Sequence, residues 1–190
     1  DVLTISVHES GAFLFPGTGF AQETGEGKGR GYSVNIPLYP YTGDDVYLWA
    51  LKEIVPPLLE AYNADILVTQ LGIDSHFLDP ITHLGLTVQG FESVVWELAA
   101  IAPRWLALGG GGYDIQTVAR AWSLAFSVMS GQKLADEIPD TYRTTHNVST
   151  LRDSHLPNIE GAQKDARTFA EQSVQAVRQM IFPIHGLSKE

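Results

Sequence analysis

The stretch Gln70-Leu71-Gly72-Ile73-Asp74-Ser75-His76-Phe77-Leu78-Asp79-Pro80 sets two carboxylates and an imidazole directly after the apolar run Ile66-Leu67-Val68. A carboxylate so close to a core costs several kcal/mol unless it is paired, protonated or bound to a metal. The chain has no cysteine, which excludes disulfides, thiolate nucleophiles and thiolate-ligated zinc. Any metal must therefore take Asp, Glu, His or carbonyl oxygen. Asp74, His76, Asp79, His8 and His83 are the available ligands of that kind, and Asp74-x-His76 has the spacing of an Asp/His pair. Against this stand ordinary roles: a helix cap or loop turn for Asp74, and a surface or packing histidine for His76 and His83.

A second chemistry-bearing run is Leu108-Gly109-Gly110-Gly111-Gly112-Tyr113. Bare backbone amides ahead of a helix attract anions, but no Gly-Lys-Ser/Thr follows and the spacing does not fit GxGxxG. The glycines can instead bend the chain sharply and bring Tyr113 to the rim of a sheet, where a phenol can donate to a developing oxyanion. A core tyrosine among flexible glycines is the competing reading.

These residues need elements to hold them. Compact apolar runs at Val2 to Val7, Tyr32 to Leu38, Ile66 to Leu71 and Trp105 to Leu108 read as buried strands. Helical periods lie between them. Tyr47, Leu48, Leu51, Ile54, Val55, Leu58 and Leu59 repeat after Asp44, an expected N-cap, with a kink expected at Pro56 and Pro57. A second helix fits Phe91, Val94, Val95, Leu98 and Ala102, and a third runs from an Asp114 cap to a stop near Gly131. Alternating strands and helices imply a parallel sheet covered on both faces, with sites gathered beyond the strand ends. The ends at Ser6-Val7-His8, Gln70 to Asp74 and Leu108 to Tyr113, with the strand near Tyr32, can converge on one pocket. Residues 132–162 lose periodicity and read as a surface excursion. A last amphipathic helix over 163–182 carries the stripe Ala166, Phe169, Ala170, Val174, Val177 and Ile181.

At 190 residues and 44% hydrophobic, the chain can bury one sizeable core, so one globular unit is expected over 1–190. Its formal charge of -10 repels phosphate backbones and anionic lipid surfaces, which argues against nucleic acid as a direct ligand and against a membrane. No apolar run is long enough for a transmembrane helix, and a cytoplasmic location is expected.

Several blocks taken together resemble the zinc-dependent histone deacetylase superfamily. They are Ile5-Ser6-Val7-His8-Glu9 with Phe15-Pro16-Gly17-Thr18-Gly19, Gly27-Lys28-Gly29-Arg30-Gly31-Tyr32-Ser33-Val34-Asn35, Leu71-Gly72-Ile73-Asp74, and Leu108 to Tyr113. The match runs in order over residues 1–131, and His8-Glu9-Ser10-Gly11 with Asp79-Pro80 is most similar to the bacterial acetoin utilisation deacetylases. The resemblance implies an arginase-like three-layer α/β fold, a parallel sheet between helices, here incomplete. It implies hydrolysis of N-acetyl-lysine to lysine and acetate, on an acetylated protein or a small acetylated amine.

Residue by residue, the resemblance makes Asp74 a zinc ligand and Tyr113 the donor to the acetyl carbonyl and its oxyanion. Phe15 would wall the tunnel for the lysine stem, Ile81 its apolar foot, and Gly111 would line the substrate site. Ser6 and the carbonyl of Val7 match a structural potassium site, and Tyr32 a second one. The family's Asp-x-His zinc pair and tandem histidines precede the first matching block, so the chain reads as the C-terminal portion of one deacetylase domain. One zinc ligand of the usual three is then present, and these residues alone are expected to be inactive. Missing strands would leave sheet edge exposed and favour self-association or strand exchange. The rival reading is a non-catalytic α/β module that uses the glycine loop or the sheet edge to bind or assemble.

Overall fold

Val34 and Ile36 alternate with half-buried Ser33 and Asn35, a period of two that makes Ser33–Leu38 (β2) a strand with Val34, Ile36 and Leu38 in the core, and its end is buried at Pro37 as well. It pairs in parallel with Thr4–Glu9 (β1), Thr4 opposite Ser33 and Glu9 opposite Leu38. A second parallel pair joins Leu67–Leu71 (β3) to Trp105–Gly109 (β4), Leu67 opposite Trp105. The computed structural model describes residues 2–146 and 148–188, so Asp1, Asn147, Lys189 and Glu190 lie outside the described residues. Among these the expected single sheet is two separate two-stranded sheets, β1 with β2 and β3 with β4.

The helices are Asp44–Tyr62 (α1), Val88–Ile101 (α2), Ile115–Ser130 (α3), Asp140–His146 (α4) and Gln163–Met180 (α5). The apolar faces of α1, α2, α3 and α5 share one core with Val34, Ile36, Leu38, Leu71 and Ile73. α3 packs on α2, and α5 on both α1 and β2. On the opposite face Ile66, Val68, Leu106 and Leu108 are each about half exposed. Among the described residues that face of β3 and β4 therefore carries no helical layer, a departure from the expected cover on both sides.

Local chemistry accounts for both ends of α3 and the start of α2. Asp114 caps α3 by accepting from the Thr117 N–H, and Gly131 closes it in the left-handed region that glycine tolerates. Thr87 caps α2 by accepting from the Gly90 N–H. Asp44, expected as a cap, is instead the first residue of α1 after Gly43, and its carboxylate accepts from the backbone N–H and hydroxyl of Thr87 at 2.8 and 2.6 Å. It ties the starts of α1 and α2 together. The helix runs on through Pro56 and Pro57 to Tyr62. No helix of the described residues is long and apolar enough to cross a membrane.

Candidate active site

The carboxyl ends of β1, β3 and β4 meet around the loop 72–87, and that meeting is held by carboxylates that collect backbone N–H groups. Buried Glu9, at the end of β1, accepts from the His83 N–H and pairs with His83 Nδ1 at 3.0 Å. Asp79, also buried, accepts from the N–H groups of Ile81 (2.9 Å) and Thr82 (3.2 Å), and its other oxygen accepts from the Tyr113 N–H at 2.9 Å. One side chain thus fixes both the loop after β3 and the glycine turn after β4. A carboxylate accepting several backbone hydrogen bonds is well paid for its burial.

Asp74 sits between those two loops. The Ile73 N–H donates to the Gly111 carbonyl at 2.7 Å, so the loops continue side by side beyond the strands. A Cβ added at Gly111 would lie 2.0 Å from Asp74 Oδ2, and one at Gly110 only 2.6 Å from the Gly72 nitrogen. The tetraglycine is therefore needed for close approach: a side chain there would occupy the space the carboxylate fills. Gly111→Ala is expected to push Asp74 out of place and to destabilise the chain by roughly 1–3 kcal/mol, as overpacking does. A thermal melt matching the unaltered protein would remove that role. Burial, with the nearby charge of Asp79, raises the Asp74 carboxyl above its ordinary value. Burial and the charge of Asp74 likewise push the Tyr47 phenol up.

His76 lies two residues beyond Asp74 and is buried in the interior. Its ring is fully buried, with Nε2 at 2.9 Å from Asp153, whose other oxygen accepts from Arg120 Nη1 at 2.7 Å. Asp153 Oδ2 also accepts from the Val88 N–H at 2.7 Å. His76 is thus a packing histidine, the ordinary reading. Burial alone would raise the Asp153 carboxyl, but hydrogen bonds from His76, Val88 and Arg120 bring it down to about 2. A carboxyl lowered on folding stabilises the folded state above its unfolded value and stops doing so as pH falls through the folded one. Stability is expected to drop between about pH 4 and pH 2, measured by denaturant unfolding at stepped pH. With Asp153→Asn that acid limb should flatten.

The remaining expected site residues divide by position. Tyr113 is 55% exposed, Ile81 50% and Phe15 92%, so all three project from the loops that gather at the carboxyl ends. The Ser6 hydroxyl is 2.8 Å from His8 Nδ1, and His8 Nε2 is 3.0 Å from the Gly19 carbonyl. Tyr32 does not join them. It precedes β2, its carbonyl accepts from the Thr4 N–H at the amino end of β1, and its ring packs edge-on against Tyr62 and His185. In a parallel pair that is the end of the sheet opposite Glu9, so the expected convergence of all four strand ends holds for three. Sequence reasoning missed Glu9, Arg120 and Asp153 as structural partners, and it assigned Asp79 no hydrogen bonds. Asp153 had no local signal, because it lies in an aperiodic segment whose partners are 33 to 77 positions away.

A catalytic zinc takes three protein ligands and keeps one open position. Among the described residues no group of three His, Asp or Glu side chains comes together to hold a metal ion. The Asp74 carboxylate fits one such ligand. These residues by themselves do not fit the whole site.

Comparison with known proteins gives this geometry a context. Residues 1–129 match the family model described as the histone deacetylase domain. The acetoin utilization protein AcuC of Bacillus subtilis (strain 168) is 43% identical over 145 residues, covering 73% of this chain and 38% of that protein. AcuC of Staphylococcus xylosus is 40% identical over 137 residues, covering 69% of this chain and 36% of the relative. The crystal structure of an HDAC homolog from Aquifex aeolicus superposes with a TM-score of 0.79 at 26% identity, covering 91% of this chain and 50% of that one. The chain thus spans well under half the length of the curated relatives it matches. Its fold is the arginase-like α/β fold of these structures, in part.

Proposed function

Because the chain belongs to the histone deacetylase family, we propose that it is part of a zinc-dependent deacetylase that hydrolyses N-acetyl-lysine to lysine and acetate. The substrate class is an acetylated protein, with small acetylated amines as a second class. The observation that carries this reading is the placement of Asp74. Its carboxylate lies at the end of β3 beside Gly72 and Gly111, and Asp79 fastens the Asp74 loop to the backbone of Tyr113. Asp74 and Tyr113 are thereby presented from adjoining loops on one rim, which supports reading them as metal ligand and oxyanion donor.

In this reading Asp74 is one zinc ligand and the other protein ligands come from outside the described residues. Tyr113 donates a hydrogen bond from its phenol to the oxygen of the acetyl carbonyl as negative charge develops there. Phe15 and Ile81 flank the lysine stem, and Gly111 leaves room for the acetyl group. Ser6 and the Val7 carbonyl take one potassium, and Tyr32 contributes to a second at the far end of β2. Alone, the chain is expected to bind zinc weakly and to turn over little or nothing. The cell compartment proposed is the cytoplasm.

The test is to measure acetyl-lysine hydrolysis and zinc content for the chain alone and for a protein that joins it to the rest of the family fold. Turnover by the chain alone would contradict the shared-site reading, and no turnover by the joined protein would remove the deacetylase assignment. In the joined protein Asp74→Ala is expected to lose most of its zinc. Full metal occupancy in that variant would take Asp74 out of the ligand set.

A further inference from the structure

The imidazole of His83 is half exposed, while the Glu9 side chain that holds it is wholly buried. One Glu9 oxygen takes the His83 backbone N–H at 2.6 Å, and the other lies 3.0 Å from Nδ1 of the ring. A carboxylate only accepts, so Nδ1 carries the ring hydrogen and Nε2 keeps a lone pair. No hydrogen bond among the described residues engages Nε2. With Nδ1 against a buried group, the exposed edge of the ring is the one that bears Nε2.

Three loops that lead to the candidate site meet at this residue. On its own loop, Thr82 donates its hydroxyl to the Asp74 carbonyl, and Ile81 lies two positions back. Glu9 ends β1 and is followed by Ser10, whose carbonyl accepts from the Phe13 and Leu14 N–H groups and so turns the loop that carries Phe15. From the loop after β2, the Tyr41 N–H donates to the His83 carbonyl at 2.6 Å. Tyr41 is half exposed with a φ of 63°, the left-handed region that a bulky residue occupies only where its surroundings hold it there. His83 is thus fixed in place and in tautomer on the rim of the site. An ordinary surface histidine needs no such support, and burying a carboxylate to orient a ring costs free energy that its hydrogen bonds must offset.

We propose that His83 is a specificity residue for polypeptide substrates: Nε2 accepts a hydrogen bond from a backbone N–H beside the acetyl-lysine, and Glu9 is the positioning residue that keeps Nε2 an acceptor. The proposal rests on the deacetylase reading and goes past it, because it ranks the two substrate classes. A small acetylated amine has no flanking amide to offer. Metal binding through Nε2 would need further ligands, and among the described residues no group of three His, Asp or Glu side chains comes together.

Glu9→Gln separates the tautomer from the position of the ring. The amide oxygen still takes the His83 N–H, but the amide NH2 then donates to Nδ1, which moves the ring hydrogen to Nε2 and turns an acceptor into a donor. In the joined protein, kcat/KM is measured on an acetyl-lysine peptide and on N-butylacetamide, the acetylated side chain without a backbone. The ratio of peptide to N-butylacetamide is expected to fall by roughly three- to tenfold in His83→Ala, the weight of one neutral hydrogen bond, and through KM rather than kcat. Glu9→Gln should lower it at least as far. Should the alanine variant fail to fold by circular dichroism, His83→Phe keeps the bulk of the ring without its acceptor. In the 190-residue chain itself, nitrogen NMR of the ring is expected to place the hydrogen on Nδ1, and on Nε2 in Glu9→Gln. A ratio unchanged in either variant, or a hydrogen on Nε2 in the unaltered chain, would overturn the proposal while leaving the deacetylase reading in place. Hydrolysis of neither substrate by the unaltered joined protein would overturn both.

Discussion

Asp153→Ala is expected to lower the unfolding free energy by about 3–5 kcal/mol, the cost of removing one partner from a buried ion pair. The carboxylate takes Arg120 Nη1 at 2.7 Å and the Val88 N–H at 2.7 Å, and His76 Nε2 lies 2.9 Å away. The side chains of His76, Asp153 and Arg120 are 0%, 6% and 8% exposed, so water cannot take the lost partner's place. Arg120 would keep its bond to the Leu151 carbonyl but hold a buried charge with no counter-ion, and its Nε already has no hydrogen-bond partner. Asp153→Asn retains an acceptor for the Val88 N–H and should cost less. Denaturant titration checks both. A loss below about 1 kcal/mol for the alanine variant, the level of an exposed pair, would show that the network does not support the fold.

Tyr113→Phe, in the joined protein proposed above, is expected to lower turnover by roughly 10²- to 10³-fold with little change in substrate affinity. The phenol proton is useful only where charge develops on the carbonyl oxygen, so its loss falls on the transition state. The substitution leaves the position of the residue intact, because Tyr113 is held through its backbone N–H by Asp79 at 2.9 Å. Steady-state kinetics on an acetyl-lysine peptide separate the two terms. Turnover within a few-fold of the unaltered protein would exclude the hydroxyl from the chemistry.

Much of this fold is legible because it is written in short-range physics. The period of two in Val34, Ile36 and Leu38, and the Asp114 and Gly131 boundaries of α3, are settled within one element. Asp44 shows where such reasoning slips: its type and position suit a cap, yet its carboxylate is drawn to Thr87, 43 positions on. Tyr32 shows another slip, since adjacency to a strand does not say which end of the sheet a residue occupies; the parallel register does.

Sequence by itself determined the residue chemistry: a cysteine-free chain, an aspartate after an apolar strand, and a tyrosine behind four glycines. It could determine these because residue type and near-neighbour spacing need no knowledge of the rest of the chain. Tertiary structure alone decided the partners. Glu9 meets His83 across 74 positions, His76 meets Asp153 across 77, and Gly111 comes to rest against Asp74. Those pairings depend on which surfaces the core brings together when it closes, and burial then makes each of them costly to leave unpaired.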